Sequence, residues 1–250
     1  MAGRWPRLAL FGVLGLIVIA VVIVLVLRSH GAPPGDGRRT AYGAPALARP
    51  AAAAAAGHVE GEWHIAAGDY ANTRYSDLGQ ITAQNVGELK PVFTFDTGFQ
   101  KGHEAAPLAV GSTMYLITPY PNVVYVLDLT RPNQPVKWRF DPKPNPKSQD
   151  IACCDGFSRS VSYDNGRLFF VTLDGQVIAL DANSGEQVWR MPIADITTGE
   201  TVTMTPLVAA GKVPVGDSGG EMGVRGSLTA LDALCGRVAD PHRRARLAAP

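Results

Sequence analysis

Val177-Ile-Ala-Leu-Asp181-Ala-Asn-Ser-Gly185-Glu-Gln-Val-Trp189 carries the fold in thirteen residues. An apolar strand ends at an aspartate whose side chain can accept backbone N–H groups in a turn. Gly185 supplies the positive φ that reverses the chain, and Trp189 sits on the returning strand. The same unit stands earlier as Val124-Tyr-Val-Leu-Asp128, with Trp138 ten residues on, and later as Ser227-Leu-Thr-Ala-Leu-Asp232-Ala-Leu-Cys-Gly236. The three aspartates are spaced 53 and then 51 residues apart, a period expected of a propeller blade or a similar stacked repeat. A Trp ring at that position can fill the gap between neighbouring blades. The third copy departs from the pattern: Asp240 stands where the tryptophan belongs, and the tail after it shows neither strand alternation nor a helical stripe.

Composition agrees with an all-β reading. The 27 glycines and 19 prolines are dispersed, as befits short strands joined by turns. With 23 basic against 22 acidic residues, the chain has no electrostatic footprint for nucleic acid. Pro214, in Lys212-Val-Pro-Val-Gly, falls where a strand is expected and threatens to remove a ladder hydrogen bond.

The first sixty residues differ. Leu8 to Leu27 is an unbroken apolar run, about 30 Å long as a helix and so matched to a bilayer core. Arg28, Ser29 and His30 follow it without a small-residue cleavage pattern, which predicts a retained anchor rather than a cleaved signal. Basic residues flank the run on both sides, so orientation rests on the cargo, expected in the periplasm. The expected organisation is an anchor at 1–30, a Pro/Gly/Ala-rich linker at 31–61, propeller repeats at 62–236 and an atypical tail at 237–250. A single-pass protein of the bacterial inner membrane follows.

Cys153 and Cys154 are adjacent. They read either as two buried thiols or, in an oxidising compartment, as a vicinal disulfide closing a tight ring. Cys235 has no obvious partner.

Five ordered stretches together carry a resemblance: Gly68-Asp-Tyr-Ala-Asn-Thr-Arg-Tyr-Ser76, Gly102-His-Glu-Ala-Ala-Pro107, Thr118-Pro-Tyr-Pro-Asn122, Ala152-Cys-Cys-Asp-Gly-Phe-Ser-Arg159 and Ser218-Gly-Gly-Glu-Met-Gly-Val-Arg-Gly226. From about Glu62 to Gly236 the chain resembles the N-terminal portion of the quinoprotein alcohol dehydrogenases that use pyrroloquinoline quinone. Gly102-His-Glu and Ser218-Gly-Gly-Glu are similar to the lanthanide-using methanol dehydrogenase branch. The resemblance implies about three blades of an eight-bladed quinoprotein propeller, preceded by one transmembrane helix.

It also implies roles. Cys153 and Cys154, joined as a disulfide, would pack against one face of the quinone. Arg159 and Thr203 would bind its carboxylates and carbonyls, and Glu104 would contact it. Ser218, Gly219 and Gly220 would approach its edge, and Glu221 would be a metal ligand to Ca2+ or a lanthanide. A hard cation takes oxygen donors and polarises the quinone carbonyl. A carboxylate base removes the alcohol proton while hydride passes to the quinone. The family carries that base and the rest of the metal shell in later stretches. No catalytic residue is therefore assigned here, and no turnover is expected of this chain alone. A small primary alcohol and a cytochrome c-type or membrane electron acceptor are the implied partners. The alternative is a non-enzymatic, membrane-anchored propeller scaffold of the cell envelope, which would need neither the cysteine pair nor Ser-Gly-Gly-Glu.

His64 and His103 read as ordinary surface or turn residues.

Overall fold

A computed structural model of the chain describes residues 61–153, 155–239 and 245–246. The described part is three antiparallel sheets laid down in chain order. Sheet one holds β1 (Leu108–Val110), β2 (Thr113–Ile117), β3 (Val124–Asp128) and β4 (Val136–Phe140). A single helical turn, α1 (Ser148–Ile151), precedes sheet two: β5 (Ser162–Asp164), β6 (Arg167–Val171), β7 (Gln176–Asp181) and β8 (Gln187–Pro192). Sheet three pairs β9 (Lys212–Gly216) with β10 (Ser227–Asp232), and β10 with β11 (Ala245–Arg246). This is the propeller-like, all-β architecture read from the repeat.

The three repeated aspartates close β3, β7 and β10. Each carboxylate accepts backbone N–H groups of the turn that follows. Asp128 takes Thr130, Asp181 takes Asn183 and Ser184, and Asp232 takes Leu234 and Cys235. In sheets one and two the register slips one or two residues before the aspartate, between Val126 and Leu127 and between Ala179 and Leu180. Such bulges sharpen strand twist.

Side-chain alternation builds two cores from one sheet. On β6 and β7, Leu168, Phe170, Ile178 and Leu180 join Tyr115, Ile117, Val124 and Val126 of sheet one. Their neighbours Phe169, Val171, Val177 and Ala179 join Val213, Val215 and Leu231 of sheet three. The middle sheet is therefore buried on both faces, which explains why β6 and β7 read as near-continuous apolar runs.

The tryptophans stitch sheet to sheet. Trp138 donates its indole N–H to the Ala182 carbonyl at 3.3 Å, and Trp189 donates to Ala233 at 3.1 Å. Each ring lies on the turn glycine of the next repeat, where a Cβ on Gly185 or Gly236 would meet it at 2.7 Å.

Pro214 behaves differently from expectation. It sits in β9 opposite Ala230, and its carbonyl accepts from Leu207 on the side away from β10. An antiparallel residue points both backbone groups the same way. Its missing N–H therefore faces the sheet edge, and the β9–β10 ladder loses nothing. The tail also differs, since Ala245 and Arg246 pair with Leu228 and Ser227. A backbone ladder needs no side-chain alternation.

The expected single-pass placement in the inner membrane is corrected. Among the described residues no helix is long and apolar enough to cross a membrane. The helix α1 has 4 residues, about 6 Å of rise against a core of about 30 Å. The apolar run Leu8 to Leu27, on which the anchor and transmembrane helix rested, lies outside the described residues, as does the linker apart from Gly61.

Candidate functional site

The loops at one end of the sheets bring most of the singled-out positions into one neighbourhood. The cysteine loop leaves α1 and turns through Asp155 and Gly156, with φ values of 62° and 65°. The Thr118–Asn122 stretch is its bed. Tyr120 donates its N–H to the Gly156 carbonyl at 2.8 Å, and Asn122 accepts from the Leu173 N–H at 3.0 Å. Gly156 is packed so closely that an added Cβ would meet Leu173 at 3.0 Å.

Cys153 is exposed and is not a free thiol, whereas Cys235 is free and exposed. Cys154 lies outside the described residues, so the expected Cys153–Cys154 disulfide is not part of the described structure.

Arg159 emerges from the same loop with its guanidinium exposed. Its Nη1 donates to Thr203 Oγ1 at 2.7 Å, and its Cζ lies 4.4 Å from the centre of the Phe157 ring. The cation–ring contact and the hydroxyl bond together hold the guanidinium in place. Two residues before Thr203, Thr201 makes an isolated antiparallel bridge to Ser218. Ser218 donates its N–H to the Thr201 carbonyl at 2.8 Å and receives the Thr201 N–H at 3.0 Å. Arg159, Thr203 and Ser218 are thus linked through three residues of one strand-like segment.

The glycines divide. Gly219 has φ 133°, and a Cβ there would collide with the Gly199 carbonyl oxygen. Backbone packing alone requires this glycine. Gly220 opens onto free space, so a flat ligand edge could approach its backbone directly. Glu221 lies in the single 3-10 turn Gly220–Met222 and is exposed.

Glu104 is exposed and makes no hydrogen bond to a described residue. Its segment nevertheless runs beside the cysteine loop: Ala106 donates to the Arg159 carbonyl at 3.2 Å, and Ser160 Oγ donates to the Ala106 carbonyl at 2.7 Å. His103 is an exposed residue, as expected, bonded to Thr97 and to the Lys101 carbonyl. His64 bonds Glu62 and meets the Tyr163 ring edge-on.

Sequence reasoning missed Asp217. Its carboxylate accepts the Ser227 N–H and hydroxyl, both at 2.6 Å, and so closes the loop that carries Ser218–Glu221. Its place immediately before Ser-Gly-Gly-Glu was the available signal. Beyond that closure lies a polar cavity of about 350 Å³ lined by Glu200, Asp217, Arg225 and Ser227 among others, and by none of the nine expected site residues.

A planar tricarboxylate fits the exposed, pre-aimed Arg159 and the open approach to Gly220. The metal fit is partial. Among the described residues no three acidic, histidine or cysteine side chains converge, and Glu221 is a single donor.

Residues 63–237 match the family described as glucose/ethanol/alcohol dehydrogenase, β-propeller domain. The lanthanide-dependent methanol dehydrogenase of Methylacidiphilum fumariolicum (strain SolV) is 51% identical over 172 residues, 69% of this chain and 28% of that protein. Methanol dehydrogenase [cytochrome c] subunit 1 of Paracoccus denitrificans is 40% identical over 182 residues, 70% of this chain and 29% of that protein. A solved structure of a europium-containing methanol dehydrogenase superposes with a TM-score of 0.71 at 49% identity, covering 73% of this chain and 32% of that one. The chain spans less than a third of the length of the curated relatives it matches.

Proposed function

This chain belongs to the PQQ family of glucose/ethanol/alcohol dehydrogenase β-propellers, and from that premise we propose that it forms the N-terminal portion of a protein that oxidises a primary alcohol with pyrroloquinoline quinone. The observation that carries the reading is the 2.7 Å bond from Arg159 to Thr203, continued into the Thr201–Ser218 bridge. It presents a fixed cation beside a loop whose Gly220 leaves its backbone open.

In this reading Arg159 holds a cofactor carboxylate, and Thr203 and Phe157 keep the guanidinium aimed. Cys153 and Cys154, as a disulfide, form a flat wall. Glu104 and the backbone of Ser218, Gly219 and Gly220 complete the edge. Glu221 is one oxygen ligand to Ca2+ or a lanthanide. When bound, the quinone supplies the two-electron acceptor for alcohol oxidation. Electrons then pass to a cytochrome c-type acceptor, the partner that the name of the similar Paracoccus denitrificans methanol dehydrogenase [cytochrome c] subunit 1 gives for that protein.

The test is equilibrium dialysis of the quinone against the purified chain. R159A removes a charge-assisted contact, so the dissociation constant should rise about tenfold or more. T203A should raise it less, because the guanidinium remains but loses its aim. Equal retention of quinone by wild type, R159A and a C153S/C154S variant would sink the cofactor reading.

A further inference from the structure

The Glu104 segment and the cysteine loop are fastened together at two points, five residues apart on the first segment and four to five on the second. One is the pair of bonds joining Ala106 to Arg159 and Ser160. The other is an ion pair, Lys101 Nζ to Asp155 Oδ1 at 2.9 Å, which spans 54 residues of sequence. We infer that Lys101 and Asp155 are positioning residues, setting the gap between Glu104 and the Cys153–Arg159 loop across which the quinone would lie. The inference rests on the cofactor reading above.

Three observations lift this pair above an ordinary surface contact. Asp155 holds φ 62°, followed by Gly156 at 65°, so the turn after the cysteines uses two consecutive left-handed residues. Aspartate and asparagine tolerate that region better than other side chains, but the turn still benefits from an external hold. Lys101 is itself anchored: its carbonyl accepts from His103 Nδ1 at 2.8 Å, while His103 Nε2 bonds Thr97 Oγ1 at 2.9 Å. Tyr125 of β3 donates to the Thr97 carbonyl at 3.1 Å, which connects this chain of contacts to the first sheet. Finally, Glu104 has no hydrogen bond of its own to a described residue, so its placement depends on the two fastenings around it.

Both side chains of the pair are substantially exposed, 45% and 69%. Such pairs contribute little to folding and weaken with salt. That separates a positioning role from a structural one. K101M and D155N, the latter chosen because Asn keeps the left-handed turn, should each weaken quinone binding about three- to fivefold. The unfolding midpoint should stay unchanged. The double variant should be no weaker than either single one, and K101R should restore affinity to within about twofold.

Amide exchange without cofactor gives a second readout: K101M should speed exchange over residues 155–160. Failure of the wild-type chain to retain quinone would overturn the cofactor reading and this role with it. If wild type retains quinone and K101M matches it, the positioning role alone falls. Unchanged exchange at 155–160, or an affinity loss tracking a lowered midpoint, has the same consequence.

Discussion

At the scale of single residues, the glycines after the repeated aspartates have two reasons to be glycine. Gly185 has φ 78°, which the turn alone would demand. It also faces the Trp138 ring, which an added Cβ would meet at 2.7 Å. Gly166 separates the two effects, because its φ is 74° but nothing lies within 4 Å of an added Cβ. G166A should therefore cost only the backbone strain, about 1 kcal/mol. G185A adds an overpacked aromatic contact and should cost about 1–3 kcal/mol more. Urea midpoints of the two variants decide this, and equal losses would show that the tryptophan yields freely. The sequence made the turn legible, since Asp-x-x-x-Gly is local chemistry. It left the steric reason hidden, because the ring arrives from 47 residues upstream. The same limit applied at the site: Arg159 and Thr203 were each singled out, yet nothing local said that they touch. Their separation of 44 residues is shared by Trp138–Ala182, Trp189–Ala233 and Ser162–Pro206, so one repeat offset governs contacts at both ends of the sheets.

At the scale of elements, the strand-closing aspartates make the hairpins sensitive to acid. Hydrogen bonds hold all three carboxyls below the ordinary value of 3.8. For Asp128 the Thr130 hydroxyl is the largest cause; for Asp181 and Asp232 it is the backbone N–H of Ser184 and of Leu234. A carboxyl with a lowered folded value stabilises the fold above its unfolded value and loses that contribution as pH falls through the folded one. The urea midpoint should hold level from pH 7 to about 5 and then decline. A D128N/D181N/D232N variant should start lower and decline less steeply, because neutral amides do not titrate. Parallel curves for the two proteins would mean that other carboxyls dominate. Pro214 shows where element-level reading from sequence stops. Its position in a strand was legible, but whether its missing N–H mattered depended on which neighbour it faced, and only the pairing of Ala230 with Pro214 supplies that register.

At the scale of the molecule, the described sheets are coupled through the middle one. Phe169 and Phe170 are adjacent on β6 yet belong to different cores, the first shared with sheet three and the second with sheet one. The segment before the sheets adds a second linkage. Trp63 pairs with Ala109 of sheet one, His64 accepts from Tyr163 of sheet two, and the Tyr70 hydroxyl reaches the Val208 carbonyl beside sheet three. Stacked units that contact chiefly their neighbours have stabilities that add unit by unit and interface by interface. F169A and F170A should each cost about 3–5 kcal/mol, with different local consequences. F169A should speed amide exchange in β9 and β10 while leaving β1–β4 protected, and F170A should do the reverse. Adding Y70F to F169A should loosen sheet three further, since it removes one of the hydroxyl tethers on that side, the Ser162 bond to Pro206 being the other. If either phenylalanine variant instead opened all three sheets to the same degree, the sheets would be one cooperative unit, and the separate cores would be a packing pattern without energetic independence.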